Sequence, residues 1–176
     1  CSEAFDLHMA PVTSVGPDSE GRWELTMFVA HMFPRSRGRL TLQDSDPSTS
    51  LVIDTGYFTD PEGDDIAELM EGVAIGREIA RQPRLAALIG PELDDTASSV
   101  SAEHVGCVSL HYYHPVGTCK MGPASDAAAV VDSTGRVHGA EGLYVADASI
   151  MPAIPRANTN LPTLMVAEKI VAGFDD

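Results

Sequence analysis

A chain of 176 residues, of which 44% are hydrophobic and 21% are charged, has the composition of a globular protein with one or at most two domains. Its net charge of −15 argues against nucleic acids and anionic membrane surfaces as partners, because both would repel an acidic protein. The sequence contains no apolar run of about 18 residues and opens without the regions of a signal peptide, so we expect a cytoplasmic protein without a membrane span.

The cysteines and histidines form no pattern typical of a metal site. Cys1, Cys107 and Cys119 are too few for a disulfide scaffold and lack metal-ligand spacing. Several histidines stand in no motif, namely His8, His31, His104 and His138. We therefore predict thiols that stay reduced and no bound metal.

Three short strands are predicted in the first third of the chain. Trp23–His31 is rich in aromatic and β-favouring residues and follows a Gly-Pro-Asp turn. Residues 39–42 alternate polar with apolar side chains, as a half-buried strand does, and residues 51–54 resemble a third strand. A polar turn between the last two would bring them together.

A helix is predicted over residues 64–81, where apolar residues recur at three- and four-residue steps. Two aspartates place negative charge at its N-terminus, and a proline follows its end. Gly72 and Gly76 weaken the prediction for its middle, because each costs about 1 kcal/mol relative to alanine. Beyond it, we expect a short helix around residues 84–89 and an acidic loop after Pro91.

Sequence patterns in the second half of the chain predict two short strands, a hairpin and a helix. Residues 108–113 are expected to form a strand that leads into His114, and residues 130–137 are expected to form a hairpin. Residues 143–146 resemble a short strand, and the apolar spacing over residues 161–174 predicts a helix with one buried face.

His114 is the main candidate for a catalytic residue. Pro115 restricts the backbone and favours an extended conformation at His114, which aims the imidazole with little torsional freedom. Imidazole is suited to accepting a proton near neutral pH. His111 would lie on the opposite face of the same strand, in a packing role. A His-Pro pair is most often structural, so the residues alone leave its function open.

Asn158, Thr159 and Asn160 stand immediately before the last predicted helix. Asparagine or threonine at a helix cap and proline in the first turn are ordinary start signals, so capping explains one of them. A helix N-terminus also attracts negative charge, and three polar residues there would suit an anionic ligand. Both interpretations remain open at this point.

Asp147 and Ala148 follow the short strand predicted over residues 143–146. Ligand-binding loops of α/β proteins occupy such positions, and a small alanine would let a cofactor approach the backbone closely. The alternative is a plain turn.

Several motifs follow one another in the order and spacing typical of the glucose–methanol–choline (GMC) flavin oxidoreductases. They are His-Pro-Val-Gly-Thr-Cys-Lys-Met-Gly (114–122), Gly-Leu-Tyr-Val-Ala-Asp-Ala-Ser-Ile-Met-Pro (142–152) and Asn-Thr-Asn-Leu-Pro-Thr-Leu-Met-Val-Ala-Glu-Lys (158–169). Pro-Arg-Ser-Arg-Gly-Arg-Leu-Thr-Leu (34–42) is similar to the family's strand before the substrate-domain sheet. The chain therefore resembles the C-terminal portion of this family over most of its length.

The resemblance implies an FAD-dependent oxidation of a small-molecule alcohol. His114 would be the catalytic base that takes the hydroxyl proton while hydride passes from the alcohol carbon to flavin N5, and Asn158 would be the second active-site residue. It also implies FAD contacts, largely through backbone groups, at Asp147, Ala148, Asn158, Thr159 and Asn160.

One element of the family is missing from the sequence. No Gly-x-Gly-x-x-Gly fingerprint is present, and the family carries it at the N-terminus. We therefore expect the ADP half of FAD to bind to an N-terminal FAD-binding portion or to a partner subunit.

The expected fold is α+β. Residues 1–140 would form a substrate-binding domain, with an antiparallel sheet drawn from residues 20–115 and packed helices. Residues 141–176 would form a strand–helix segment that completes an FAD-binding α/β domain.

Two other functions remain open. Some members of the family are hydroxynitrile lyases, which keep FAD without net redox chemistry. The chain could also be a non-catalytic assembly subunit that retains the motif as scaffold.

Overall fold

The computed structural model describes residues 6–16, 21–93 and 101–174. These residues form two compact units, and each unit is drawn from two segments of the chain. The first unit falls within Cys1–Arg37 and Tyr57–Leu110, and the second falls within Gly38–Gly56 and His111–Asp176. Both units combine helices with antiparallel strands, which confirms the expected α+β class. The segments of the two units alternate along the chain. Compactness does not assign a function to either unit, so the division into a substrate-binding domain (residues 1–140) and a segment of an FAD-binding domain (residues 141–176) stays a prediction.

Two long antiparallel strands form the sheet of the first unit. Strand β1 (Leu7–Val15) pairs with strand β2 (Trp23–His31) over the full length of both. Strand β2 is confirmed as predicted, whereas β1 was not predicted from the sequence because Pro11 interrupts its pattern. Proline is tolerated on an edge strand, and among the described residues β1 has a strand neighbour on one side only.

Helix α1 (Asp64–Ala80) confirms the predicted helix and packs on this sheet. A Cβ atom on Gly72 would lie 2.5 Å from Cγ1 of Val29, and one on Gly76 would lie 3.2 Å from Cγ of Met27. The two glycines that weakened the prediction therefore have a packing role, because they allow the helix to approach the strands closely.

Among the described residues of the first unit, two short helices follow α1. They are α2 (Pro83–Ala86) and α3 (Ala102–Val108). The hydroxyl of Ser101 accepts a hydrogen bond from the N–H of His104 at 3.1 Å and so caps α3. The acidic loop expected after Pro91 lies largely outside the described residues.

The strand predicted over residues 108–113 is wrong. Helix α3 runs to Val108, and the residues from there to His114 adopt no regular secondary structure. The backbone of Tyr113 has a φ of 59°, in the left-handed region, which an extended strand does not include. The β-favouring side chains of this segment misled the prediction.

The second unit contains the other strand pair, β3 (Arg39–Thr41) and β4 (Val52–Asp54). Both strands were predicted and are one residue shorter than expected. The single sheet expected over residues 20–115 is wrong, because the described strands form two separate two-stranded sheets in different units.

A small hydrophobic core holds the C-terminal part of the second unit together. Its buried side chains are Val131, Ile150 and Ile170. Val131 and Val137 form an isolated antiparallel β-bridge. The hairpin expected over residues 130–137 is therefore present only as this single residue pair on the two sides of a turn.

Two further elements surround this core. The strand expected over residues 143–146 is likewise a single bridge, between Arg136 and Tyr144. Helix α4 (Asn160–Ala172) confirms the last predicted helix. In the part of the chain that the structure describes, no helix is long and apolar enough to cross a membrane.

Candidate functional site

Backbone hydrogen bonds join the His-Pro motif to the segment that follows Asp147. The N–H of Cys119 donates to the carbonyl of Ser149 at 2.9 Å, and the N–H of Met121 donates to that of Ile150 at 2.8 Å. Gly117 turns the chain before this pairing with a φ of 88°, which a side chain would strain. Two motifs that are far apart in the sequence are thus held side by side by the core around Ile150.

Asp147 has a local structural role. Its carboxylate accepts a hydrogen bond from the N–H of Ser149 at 2.8 Å and caps the 3₁₀ turn Ala148–Ile150. The Asp147 residue is exposed and Ala148 is partly buried. The capping accounts for the aspartate at this position, and contact of Asp147 and Ala148 with FAD stays a prediction.

The rings of residues 111–114 pack in two pairs. The rings of Tyr112 and His114 meet edge to face with centroids 4.8 Å apart, and those of His111 and Tyr113 do so at 4.3 Å. Tyr113 combines a left-handed backbone with a side chain that is 79% exposed. Such a conformation costs free energy in a residue other than glycine, and it is often found at functional sites.

The imidazole of His114 is hydrogen-bonded to the start of helix α4. Its Nδ1 lies 3.0 Å from the Oγ1 of Thr159, across a separation of 45 residues in sequence. Thr159 is buried, with 8% of its surface exposed, and His114 is partly buried. The His-Pro motif and the Asn-Thr-Asn motif, which the sequence singled out separately, therefore meet through side chains.

A cleft of about 420 Å³ opens beside this pair. Its lining residues are Tyr113, His114, Thr159, Asn160, Thr163 and Leu164. Three of them were predicted as site residues and three were missed. The missed helical residues could have been found, because Thr163 lies four residues after Thr159 and Leu164 four after Asn160, and such pairs share a helix face.

Asn158, the other residue assigned to catalysis from the resemblance, does not line this cleft within the described residues. It is exposed and directly precedes the buried Thr159. Its catalytic role and its contact with FAD stay predictions.

Charged groups near the His-Pro motif are engaged in a local ion pair. The Nζ of Lys120 lies 2.7 Å from Oδ2 of Asp126. Together with the backbone N–H of Ala128, this lysine holds the pKa of Asp126 below its ordinary range. Within the described ranges, no group of three or more His, Cys, Asp or Glu side chains could hold a metal ion.

Comparison with known proteins identifies the family. The profile of the GMC oxidoreductases matches residues 34–167, which cover most of the chain. An oxygen-dependent choline dehydrogenase 1 from Chromohalobacter salexigens is 44% identical over 173 residues, which cover 94% of this chain and 30% of that protein. The choline oxidase of Arthrobacter globiformis is 38% identical over 157 residues, which cover 87% of this chain and 28% of the oxidase.

A solved structure agrees with these relatives. An FAD-dependent oxidoreductase from Chaetomium thermophilum superposes with a TM-score of 0.74 and 26% identity, over 89% of this chain and 27% of its own. The chain thus spans less than a third of the length of each of these three proteins. It belongs to the GMC oxidoreductase family, whose cofactor is FAD.

Proposed function

We propose that this chain supplies the proton-accepting side of the active site in an FAD-dependent alcohol oxidoreductase. The observation that carries the proposal is the imidazole of His114, which lines a cleft of about 420 Å³ at the N-terminal end of helix α4. Small-molecule sites occupy about 300–1,000 Å³, so the cleft is large enough for an alcohol and the reactive end of a cofactor.

The residues around the cleft fit one end of FAD. The N-terminus of α4 favours negative charge, and the exposed amide of Asn160 lies at its first position. The sequence has no fingerprint for the ADP half, so we assign that half to the N-terminal portion or a partner subunit. On this proposal, the residues that would contact the flavin end are Asp147, Ala148, Asn158, Thr159 and Asn160.

His114 performs the proton transfer in this proposal. A substrate alcohol in the cleft brings its hydroxyl to the imidazole, which accepts the proton as the carbon is oxidised. Bound FAD supplies the acceptor for the hydride that leaves the alcohol carbon. Asn158 does not line the cleft in the described part of the chain, so its place as the second catalytic residue rests on the family resemblance alone.

Choline is the first alcohol to test. Two relatives, at 44% and 38% identity, are by name a choline dehydrogenase and a choline oxidase. An aromatic face within about 6 Å of a quaternary ammonium stabilises it. The exposed ring of Tyr113 lines the cleft and offers such a face.

His114→Ala in the full-length protein tests the assignment. We expect turnover to fall by about 10²–10⁴-fold, because a positioned general base contributes that factor. Bound FAD, measured by absorbance after desalting, should be unchanged. His111→Ala is the matched control, because His111 is an exposed histidine of the same segment.

The outcomes separate the alternatives. His111→Ala should retain activity within a few-fold of wild type. Wild-type turnover by His114→Ala with FAD still bound would refute the base and favour a scaffold role for the motif. Cyanohydrin cleavage without reduction of FAD would instead identify a hydroxynitrile lyase.

A further inference from the structure

The hydroxyl of Thr159 makes an unusual hydrogen bond for a threonine at the start of a helix. Thr159 is the N-cap residue of α4, where a threonine hydroxyl ordinarily accepts a hydrogen bond from an N–H of the first turn. In the part of the chain that the structure describes, the Thr159 side chain makes no such capping bond. Its Oγ1 instead lies 3.0 Å from Nδ1 of His114. The hydroxyl is therefore directed at the imidazole and not at the helix.

Hydrogen bonds within α4 fix the backbone of Thr159 and so limit where its hydroxyl can lie. Thr163, one turn further along α4, donates both its N–H, at 2.9 Å, and its hydroxyl, at 2.7 Å, to the carbonyl of Thr159. A β-branched side chain has restricted rotation about χ1, and the Thr159 residue is buried. The position of Oγ1 is thus determined by the start of the helix, and it can in turn fix the plane of the His114 ring.

We propose that Thr159 is a positioning residue for His114, a role that rests on the function proposed above. The Nδ1–H of the imidazole donates to Oγ1 of Thr159. The lone pair of Nε2 is then available to the cleft. When the alcohol O–H bond breaks, the N–H bond forms at Nε2, and the positive charge on the ring is stabilised by the hydrogen bond to Thr159.

The chemistry explains why a hydroxyl is suited to this position. An imidazole that carries its proton on Nδ1 needs an acceptor there, and the protonated ring needs one as well. A hydroxyl oxygen serves both states. A valine has nearly the same shape as threonine but offers no acceptor, so Thr159→Val removes the hydrogen bond while keeping the branched side chain.

The experiment uses the full-length protein with bound FAD. We expect Thr159→Val to lower kcat by about 10- to 100-fold, because the ring loses its fixed orientation, with KM for the alcohol changed by only a few-fold. Thr159→Ser restores an acceptor and should recover kcat to within a few-fold of wild type. Thr41→Val, on the exposed strand β3, is the matched control and should leave kcat unchanged.

Nitrogen-15 NMR of histidine-labelled protein gives a readout that a merely structural role would not alter. The His114 signals, assigned by their loss in His114→Asn, should report a proton on Nδ1 in the wild type and a shift of that proton to Nε2 in Thr159→Val. Finding the proton on Nε2 of neutral His114 in the wild type would overturn the proposal, even if Thr159→Val failed to fold.

The two proposals can fail separately. Wild-type turnover by His114→Ala would overturn the proposed function itself. Loss of turnover in His114→Ala together with wild-type kcat in Thr159→Val would overturn only the positioning role.

Discussion

The carboxylate of Asp65 is buried in the first unit and is hydrogen-bonded to the backbone. It accepts hydrogen bonds from the backbone N–H groups of Arg35, at 2.8 Å, and Ser36, at 2.9 Å, and it lies 3.7 Å from Nδ1 of the partly buried His31. Burial alone would raise the pKa of Asp65. The hydrogen bonds and the nearby imidazole outweigh burial and hold the pKa below its ordinary range.

This lowered pKa predicts an acid-sensitive first unit. A carboxylate with a depressed pKa in the folded state stabilises the fold above the unfolded-state pKa of about 4, and the contribution is lost as the pH falls through the folded-state pKa. The unfolding free energy, measured by urea denaturation, should therefore decline below about pH 4. Asp65→Asn should remove part of that decline.

Asp46→Asn is the matched control. The N–H and hydroxyl of Ser48 lower the pKa of Asp46 as well, but this carboxylate is fully exposed and its interactions are screened by water. We expect this substitution to leave the pH dependence nearly unchanged. Equal pH slopes for the wild type and Asp65→Asn would refute the role of Asp65.

The contact between helix α1 and the β1–β2 sheet depends on small side chains. Gly72→Ala should destabilise the protein by about 1–3 kcal/mol, because the new Cβ would stand 2.5 Å from the stiff side chain of Val29. This loss exceeds the gain of about 1 kcal/mol in helix propensity.

Gly76→Ala provides the contrast within the same helix. Its new Cβ would meet Cγ of Met27 at 3.2 Å and Cε of Met9 at 3.3 Å, and both belong to flexible side chains that can move aside. We expect a change in unfolding free energy of less than about 1 kcal/mol. Thermal unfolding of both variants tests the difference, and equal losses at the two positions would contradict it.

The elements that could be predicted from the sequence are those with a strong internal pattern. Strand β2 and helices α1 and α4 carry their own periodicity, and the predicted ends lie within about two residues of those observed. Strand β1 was missed because tertiary pairing tolerates Pro11 on an edge. The strand expected before His114 fails because Tyr113 adopts a left-handed backbone, which no local pattern indicated.

Residues of the candidate site could be identified from the sequence, but the contact between them could not. His114 and Thr159 were identified through motifs, but the hydrogen bond between them spans 45 residues and depends on how α4 packs. The role of the Thr159 side chain was therefore not accessible from the sequence. The sequence predicted for Thr159 only helix capping or contacts with FAD made largely through backbone groups.

At the scale of the whole molecule, helix α4 carries apolar side chains on its exposed surface as well as toward the core. Leu161 is 77% exposed and Met165 is 64% exposed, although Ile170 of the same helix is buried. A helix that is apolar around most of its circumference is typical of the interior of a larger protein. The exposed apolar side chains of α4 agree with the finding that the chain spans less than a third of the length of these two relatives.

We predict that this chain by itself binds FAD poorly, because the ADP half has no fingerprint here. Absorbance of bound flavin after desalting measures this directly, with the full-length protein as the positive control. A yellow isolated chain that oxidises alcohols without any partner would contradict the prediction.

The central claim is that His114 accepts the alcohol proton. Its most direct test is the rate of anaerobic FAD reduction on mixing the full-length protein with an alcohol, compared with His114→Ala in the absence and presence of added imidazole. We predict that the variant is slower by about 10²–10⁴-fold and that imidazole restores part of the rate, because free imidazole replaces the missing base. Reduction of FAD by His114→Ala at the wild-type rate, without imidazole, would contradict the claim.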